Sequence, residues 1–240
     1  MYNRTLILQI IIINYFLFKE TLVSILIKAL FISLLITALS YSQGFLINKF
    51  GIETFHFNDD QGRNQATFFS HAPFEDITGL SNEVSGWVSF DIQDVKNTLT
   101  GEVIIKTASL KTGIEARDEH LSSSEWLNAE AYPNLTFVIK EVEMISNETG
   151  NKLRLSVLGD FTVRGVTKQI YSNVTIEYLE ESELTKTRMS GDLLGVKAKF
   201  NINLSDYGVR HMLIGKRVSE EVEITANIIG TNADSLSQTN

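Results

Sequence analysis

Arg117-Asp118-Glu119-His120 is the densest group of chemically capable side chains in this 240-residue sequence. A histidine two residues after an aspartate could act as an acid or base oriented by the carboxylate, with an arginine close by for an anionic group. The same side chains could instead do no more than close a loop by hydrogen bonding. The other histidines, His56, His71 and His211, stand apart, and none has the His-x-His spacing that sets two metal ligands on one strand face. Cysteine is absent, which removes thiol catalysis, disulfides, a lipid-modified N-terminal cysteine and Cys-ligated zinc. No serine lies in Gly-x-Ser-x-Gly, so a nucleophile elbow is missing. Glu220-Glu221 and Asp59-Asp60 read as solvated turn or edge pairs, not as a catalytic pair. Arg164-Gly165-Val166-Thr167-Lys168 is a basic turn that either captures an anion at a barrel mouth or simply carries surface charge.

The elements around these residues are mostly strands. Val84, Gly86, Val88 and Phe90 share one face, with Ser85, an exposed Trp87, Ser89 and Asp91 on the other. Leu153, Leu155, Val157, Gly159, Phe161 and Val163 alternate with polar neighbours, and residues 102–107, 135–139, 170–178, 186–193, 196–204 and 218–229 repeat the pattern. Polar breaks at 147–151 and 180–184 suit antiparallel hairpins. One stretch departs from alternation. Ser122-x-x-Glu125 matches a capping box and predicts a short helix through Trp126 and Ala131, ended by Pro133. The expected fold is all-β: an antiparallel up-and-down barrel of roughly eight strands with a short helical plug, with a two-sheet sandwich as the alternative. Gly86, Gly159, Ser172, Gly191, Ala198 and Ala226 point inward, and small residues there suit either a hollow interior or the taper of a solid one.

Residues 1–42 differ in character. Residues 6–18 and 22–39 are apolar, Lys28 precedes an h-region-length run at 29–39, and Ser40-Tyr41-Ser42 offers a cleavage position before Gln43. A cleaved signal peptide and an exported, periplasmic or secreted product are expected. The extra run at 6–18 suggests a natural start shortly before Lys28. The alternative is an N-terminal apolar helix that anchors residues 22–39 in a membrane, although burying Lys28 at its centre costs about 3 kcal/mol. A short link at 43–48, a barrel domain over 43–230 and a disordered polar tail over 231–240 complete the division. The chain carries 21 Lys+Arg against 29 Asp+Glu, and only Arg4, Lys19, Lys28 and Glu20 fall before residue 43. So acidic a barrel argues against nucleic acid and against electrostatic docking on anionic lipid heads.

Several motifs occur together and in order: GWVSFD at 86–91, SLKTG at 109–113, RDEHL at 117–121 and EWLN at 125–128. Tyr132-Pro133 with Thr136-Phe137, LGDFTVRGVTK at 158–168 and SDYGV at 205–209 follow. With these the chain resembles the YceI-like family over most of the length beyond residue 50. The resemblance implies a lipocalin-like barrel with a hollow interior that binds polyisoprenoids or related long-chain lipids such as quinones, with no enzymatic activity and no cofactor beyond that ligand. It further implies a tunnel lined by Val88, Phe90, Phe137, Leu155, Val157, Phe161, Ile176, Phe200 and Ile202. Residues 117–126 would cap one end, with Trp126 as lid and Arg117 or His120 near a head group. Each CH₂ taken from water into such a tunnel contributes about 0.8 kcal/mol. Gln169 stands where the family often has proline, and Leu204 where it often has arginine, which puts head-group preference in doubt. Two rival readings are a barrel enzyme using His120 and Asp118 on a small hydrophobic substrate, and a solid barrel acting as an interaction module. Membrane association through the N-terminal segment and a homodimer are open arrangements.

Overall fold

The computed structural model describes residues 18, 19, 21–28 and 43–233, in two units that divide between Tyr41 and Ser42. In the first unit the described residues are helical. The cleavage position before Gln43 and nearly all of the 6–18 run lie outside the described residues. Among those described, no helix is long and apolar enough to cross a membrane.

The described residues of the second unit form ten strands: β1 (Ile52–His56), β2 (Gln65–His71), β3 (Asp76–Ser81), β4 (Val84–Asp91), β5 (Thr100–Lys106), β6 (Asn134–Asn147), β7 (Lys152–Val163), β8 (Val166–Leu179), β9 (Leu193–Asn203) and β10 (Glu221–Thr231). From β4 to β10 each strand pairs antiparallel with the next, as expected of an up-and-down barrel. β1 closes the ring, pairing along β4 and meeting β10 at His56 opposite Thr231. The barrel therefore has eight strands. The β2–β3 hairpin is additional, laid on Glu223 to Asn227 of β10, the stretch that β1 leaves free.

β7 alternates as its sequence requires, every second residue from Leu153 to Val163 being buried. It turns into β8 through Arg164 and Gly165, both at positive φ (51° and 74°). That two-residue reversal matches the right-handed twist of the strands it joins.

Four expectations need correction. Residues 186–193 are not a strand: a helical turn, Glu183–Lys186, and a loop to Asp192 stand there, which also takes Gly191 out of the barrel wall. The capping box lies at this turn, where Thr185 N donates to Ser182 Oγ (3.2 Å) and Ser182 N to Thr185 Oγ1 (2.7 Å). The plug helix is Glu115–Ser122, so Ser122 ends it and Pro133 lies well beyond. Its first turn carries Glu115 and Asp118, which suit the positive end of a helix. Trp87 is half-buried between β1 and β5, not exposed.

Residues of the expected link and the first residues of the expected tail pack against the barrel. Phe45, in the supposed link, is 1% exposed and packs on Phe90 and Tyr178, plugging one end of the barrel. Thr231 completes β10, and Asn232 donates to Glu53 (2.9 Å) and accepts from Asp192 N (2.8 Å). The rest of the tail, from residue 234, lies outside the described residues.

Candidate functional site

The end opposite Phe45 is open. Four connections gather there: 72–75, 107–133, 164–165 and 204–220. Beneath them the barrel encloses a cavity of about 390 Å³. The strands supply an apolar wall that includes Ile77, Leu135, Val163, Ile202 and Val222. Every charged or histidine side chain lining it comes from the connections: Glu75, Arg117, His120, Glu125, His211 and Arg217. The polarity is thus graded, wet at the rim and oily within.

A second hollow of about 80 Å³ continues toward the plugged end. Ala66, Ile105, Phe161 and Ile224 line both spaces and form the partition between them. Beyond the small hollow the interior is solid, with Phe55 stacked on Phe90 at 5.7 Å and edge-on to Tyr178.

Arg117, His120, Trp126, Phe161 and Ile202 therefore line the larger cavity. Val88, Phe137, Val157, Ile176 and Phe200 line the smaller one, which Phe161 shares. Phe90 and Leu155 line neither; both are buried in packed core. Their alternation marks them correctly as inward, but period alone cannot tell a hollow layer from a filled one.

The lid is held by specific bonds. Arg117 Nη2 donates to Glu75 Oε2 at 2.8 Å, tying the plug helix to the β2–β3 turn. The Asp118 carboxylate accepts from the amide (2.6 Å) and hydroxyl (2.7 Å) of Thr112. Burial alone would raise this carboxyl, but those two bonds, with Lys111 and Arg117 nearby, hold it below the usual carboxylate range. His120 is exposed on the same helix, whereas Asp118 is buried. Two residues along a helix turn side chains about 200° apart, so no His–Asp pair forms. Among the described residues no cluster of three His, Asp or Glu is placed to hold a metal.

Trp126 leans on His211 with ring centroids 4.8 Å apart, and His211 Nε2 lies 3.7 Å from Glu125 Oε2. Arg164 donates to the Trp126 carbonyl. That bond ties the β7–β8 turn to the lid. Tyr207, edge-on to Phe161 at 5.9 Å, also lines the larger cavity. Its hydroxyl is buried without a hydrogen-bond partner among the described residues, and burial, then Asp206, push it up to about 12. Residue-by-residue reading missed Tyr207, His211 and Arg217, because the 204–220 connection has no regular period. Only the SDYGV motif marked part of it.

An eight-stranded antiparallel barrel, solid at one end and hollow under a helical lid at the other, has the lipocalin-like architecture of small-molecule-binding barrels. The chain belongs to the YceI-like domain family, whose sequence profile matches residues 57–229. It is 30% identical over 177 residues to a UPF0312 protein of Pseudomonas fluorescens, covering 73% of this chain and 85% of that one. It is 32% identical over 182 residues to a UPF0312 protein of Yersinia enterocolitica, with the same coverage of each. Among solved structures, BcnA of Burkholderia cenocepacia superposes with a TM-score of 0.57 at 20% identity, over 72% of this chain and all of that one. A polyisoprenoid binding domain from Saccharophagus degradans, implicated in plant cell wall breakdown, gives 0.54 at 15%, over 76% of this chain and all of that one.

Proposed function

We propose that this protein binds one long-chain isoprenoid-type lipid, such as a polyisoprenol or a quinone, with the tail in the barrel and the polar end at the lid. The observation that carries the reading is the graded lining: about 390 Å³ of apolar hollow with all its charged groups at one mouth. That volume lies within the roughly 300–1,000 Å³ of typical ligand sites. The name of the Saccharophagus degradans neighbour supports the ligand class. A tail longer than the first cavity continues past Ala66, Ile105, Phe161 and Ile224 into the second hollow. Arg117, His120 and Trp126 then face the polar end, and Phe161, Phe200, Phe137, Val157, Ile176 and Val88 take the tail.

Binding in place of catalysis is part of the proposal. Asp118 is engaged by Thr112 and is not available to orient His120. Export with cleavage before Gln43 also belongs to it, and terminal sequencing of the protein recovered from its producing cells tests that step. Native mass spectrometry of the purified protein, followed by organic extraction, tests the ligand. A mass increment that extracts as an isoprenoid lipid is expected, and a protein of bare polypeptide mass that also rejects added isoprenoids overturns the reading.

A further inference from the structure

Residues 208–218, GVRHMLIGKRV, form most of the β9–β10 connection and stand on the rim of the open end. The segment carries Arg210, Lys216 and Arg217 and no acidic residue, within a chain whose formal net charge is −8. The loop is firmly built. Gly215 N donates to Val218 O at 2.7 Å, and the amides of Lys216 and Arg217 donate to Leu213 O at 3.0 and 2.9 Å. Ser219 N donates to Ser70 Oγ at 2.8 Å, which ties the loop base to β2. On this frame Leu213 turns into the cavity, while Met212 is 78% exposed. Phe74, in the adjoining 72–75 turn, is 77% exposed. Among the described residues none of the three cations has a carboxylate partner, in contrast to Arg117 with Glu75.

Exposed Met212 among these cations, with exposed Phe74 on the turn at the same end of the barrel, has the composition of an interfacial membrane contact. Apolar side chains enter the head-group boundary and cations meet anionic heads. The acidity of the whole chain opposes approach to such a surface from afar. Charges farther away than the roughly 8 Å Debye length are screened, so at contact the loop's own cations decide, the nearby Glu75 being engaged by Arg117 and Glu125 lying beside His211. We propose that residues 208–218, with Phe74 beside them, dock the open end of the barrel on an anionic lipid bilayer. The loop's charge and exposure carry this without reference to what the cavity holds.

Because the chain lacks cysteine, Met212→Cys accepts a single fluorophore in the full-length protein. Thr149→Cys, in the β6–β7 turn at the plugged end, serves as the control. Each labelled protein is mixed with phosphatidylcholine vesicles, with and without phosphatidylglycerol, that carry nitroxide-labelled lipid. The 212 label should be quenched at least twofold on phosphatidylglycerol vesicles and the 149 label should not. About 0.5 M salt, or Arg210→Glu with Lys216→Glu, should abolish the effect. Absent quenching, equal quenching on pure phosphatidylcholine, or indifference to the two Glu substitutions overturns the proposal. So does a 212 label that ignores vesicles and becomes shielded as protein concentration rises, which would mark a contact between copies of this chain. Quenching in a protein whose cavity takes no lipid would leave this proposal standing and sink the ligand reading; a lipid-loaded protein with a silent 212 label would do the reverse.

Discussion

The Phe137 ring lies directly over Gly159 on the neighbouring strand, so that a Cβ built on Gly159 would meet the ring at 2.3 Å. Phe137 also stacks on Phe200 at 5.9 Å, and Phe200 meets Phe161 edge-on at 5.1 Å. The missing side chain at Gly159 therefore lets Phe137 take its place beside the smaller hollow. Gly159→Ala should destabilise the fold by roughly 1–3 kcal/mol, the range for overpacking a filled core. Adding Phe137→Leu should recover part of that loss. Chemical denaturation of the two single variants and the double variant measures the coupling, and strictly additive losses would contradict the contact.

Ala66 lies on the partition between the two hollows. Ala66→Phe should block the way between them while leaving the mouth of the larger cavity. Affinity for a long isoprenol such as geranylgeraniol should fall about tenfold or more, since two methylenes left in water forfeit about 1.6 kcal/mol. Affinity for geraniol should hold. A fluorescence displacement titration with both alcohols gives the comparison, and equal losses for the two would contradict a continuous channel.

Much of this was legible in sequence. Strands with one wet face, β7 above all, follow from period alone, and so does the inward direction of Phe161, Phe200 and Ile202. β2 was not legible, because Ala66 and Phe68 are apolar on its inner face and Phe69 is apolar on its outer one, which erases the period. Ser122-x-x-Glu125 has capping chemistry in sequence and points to a later helix, whereas the contacts of Asp118 with Thr112 and of Arg117 with Glu75 favour the preceding turn. Whether the interior was hollow depended on layers of side chains from strands far apart in sequence. No local pattern reports that.

Asp192, at the plugged end, accepts from Lys49, from the Tyr178 hydroxyl (2.6 Å) and from Glu181 N (2.7 Å). Burial would raise its carboxyl, but the bonds from Lys49 and Tyr178 outweigh burial and hold it below the usual range. Asp59 and Asp118 are depressed in the same way. A carboxyl lowered by folding contributes stability above its unfolded value, near 3.9, and that contribution is lost as pH falls through the folded value. Thermal unfolding midpoints should therefore stay level from about pH 7 to 5 and drop below about pH 4. Asp192→Asn should show a shallower acid decline, and a decline as steep as that of the parent protein would contradict the assignment.

The central claim, that the oily hollow under the lid holds a lipid tail, is tested most directly at Phe161, which lines both spaces. Native mass spectra of the parent protein, Phe161→Leu and Phe161→Asp, all purified alike and shown to be folded by circular dichroism, give the reading. Retained lipid in the parent and the Leu variant, and none in the Asp variant, is the predicted result. Equal lipid in a folded Asp variant would contradict it.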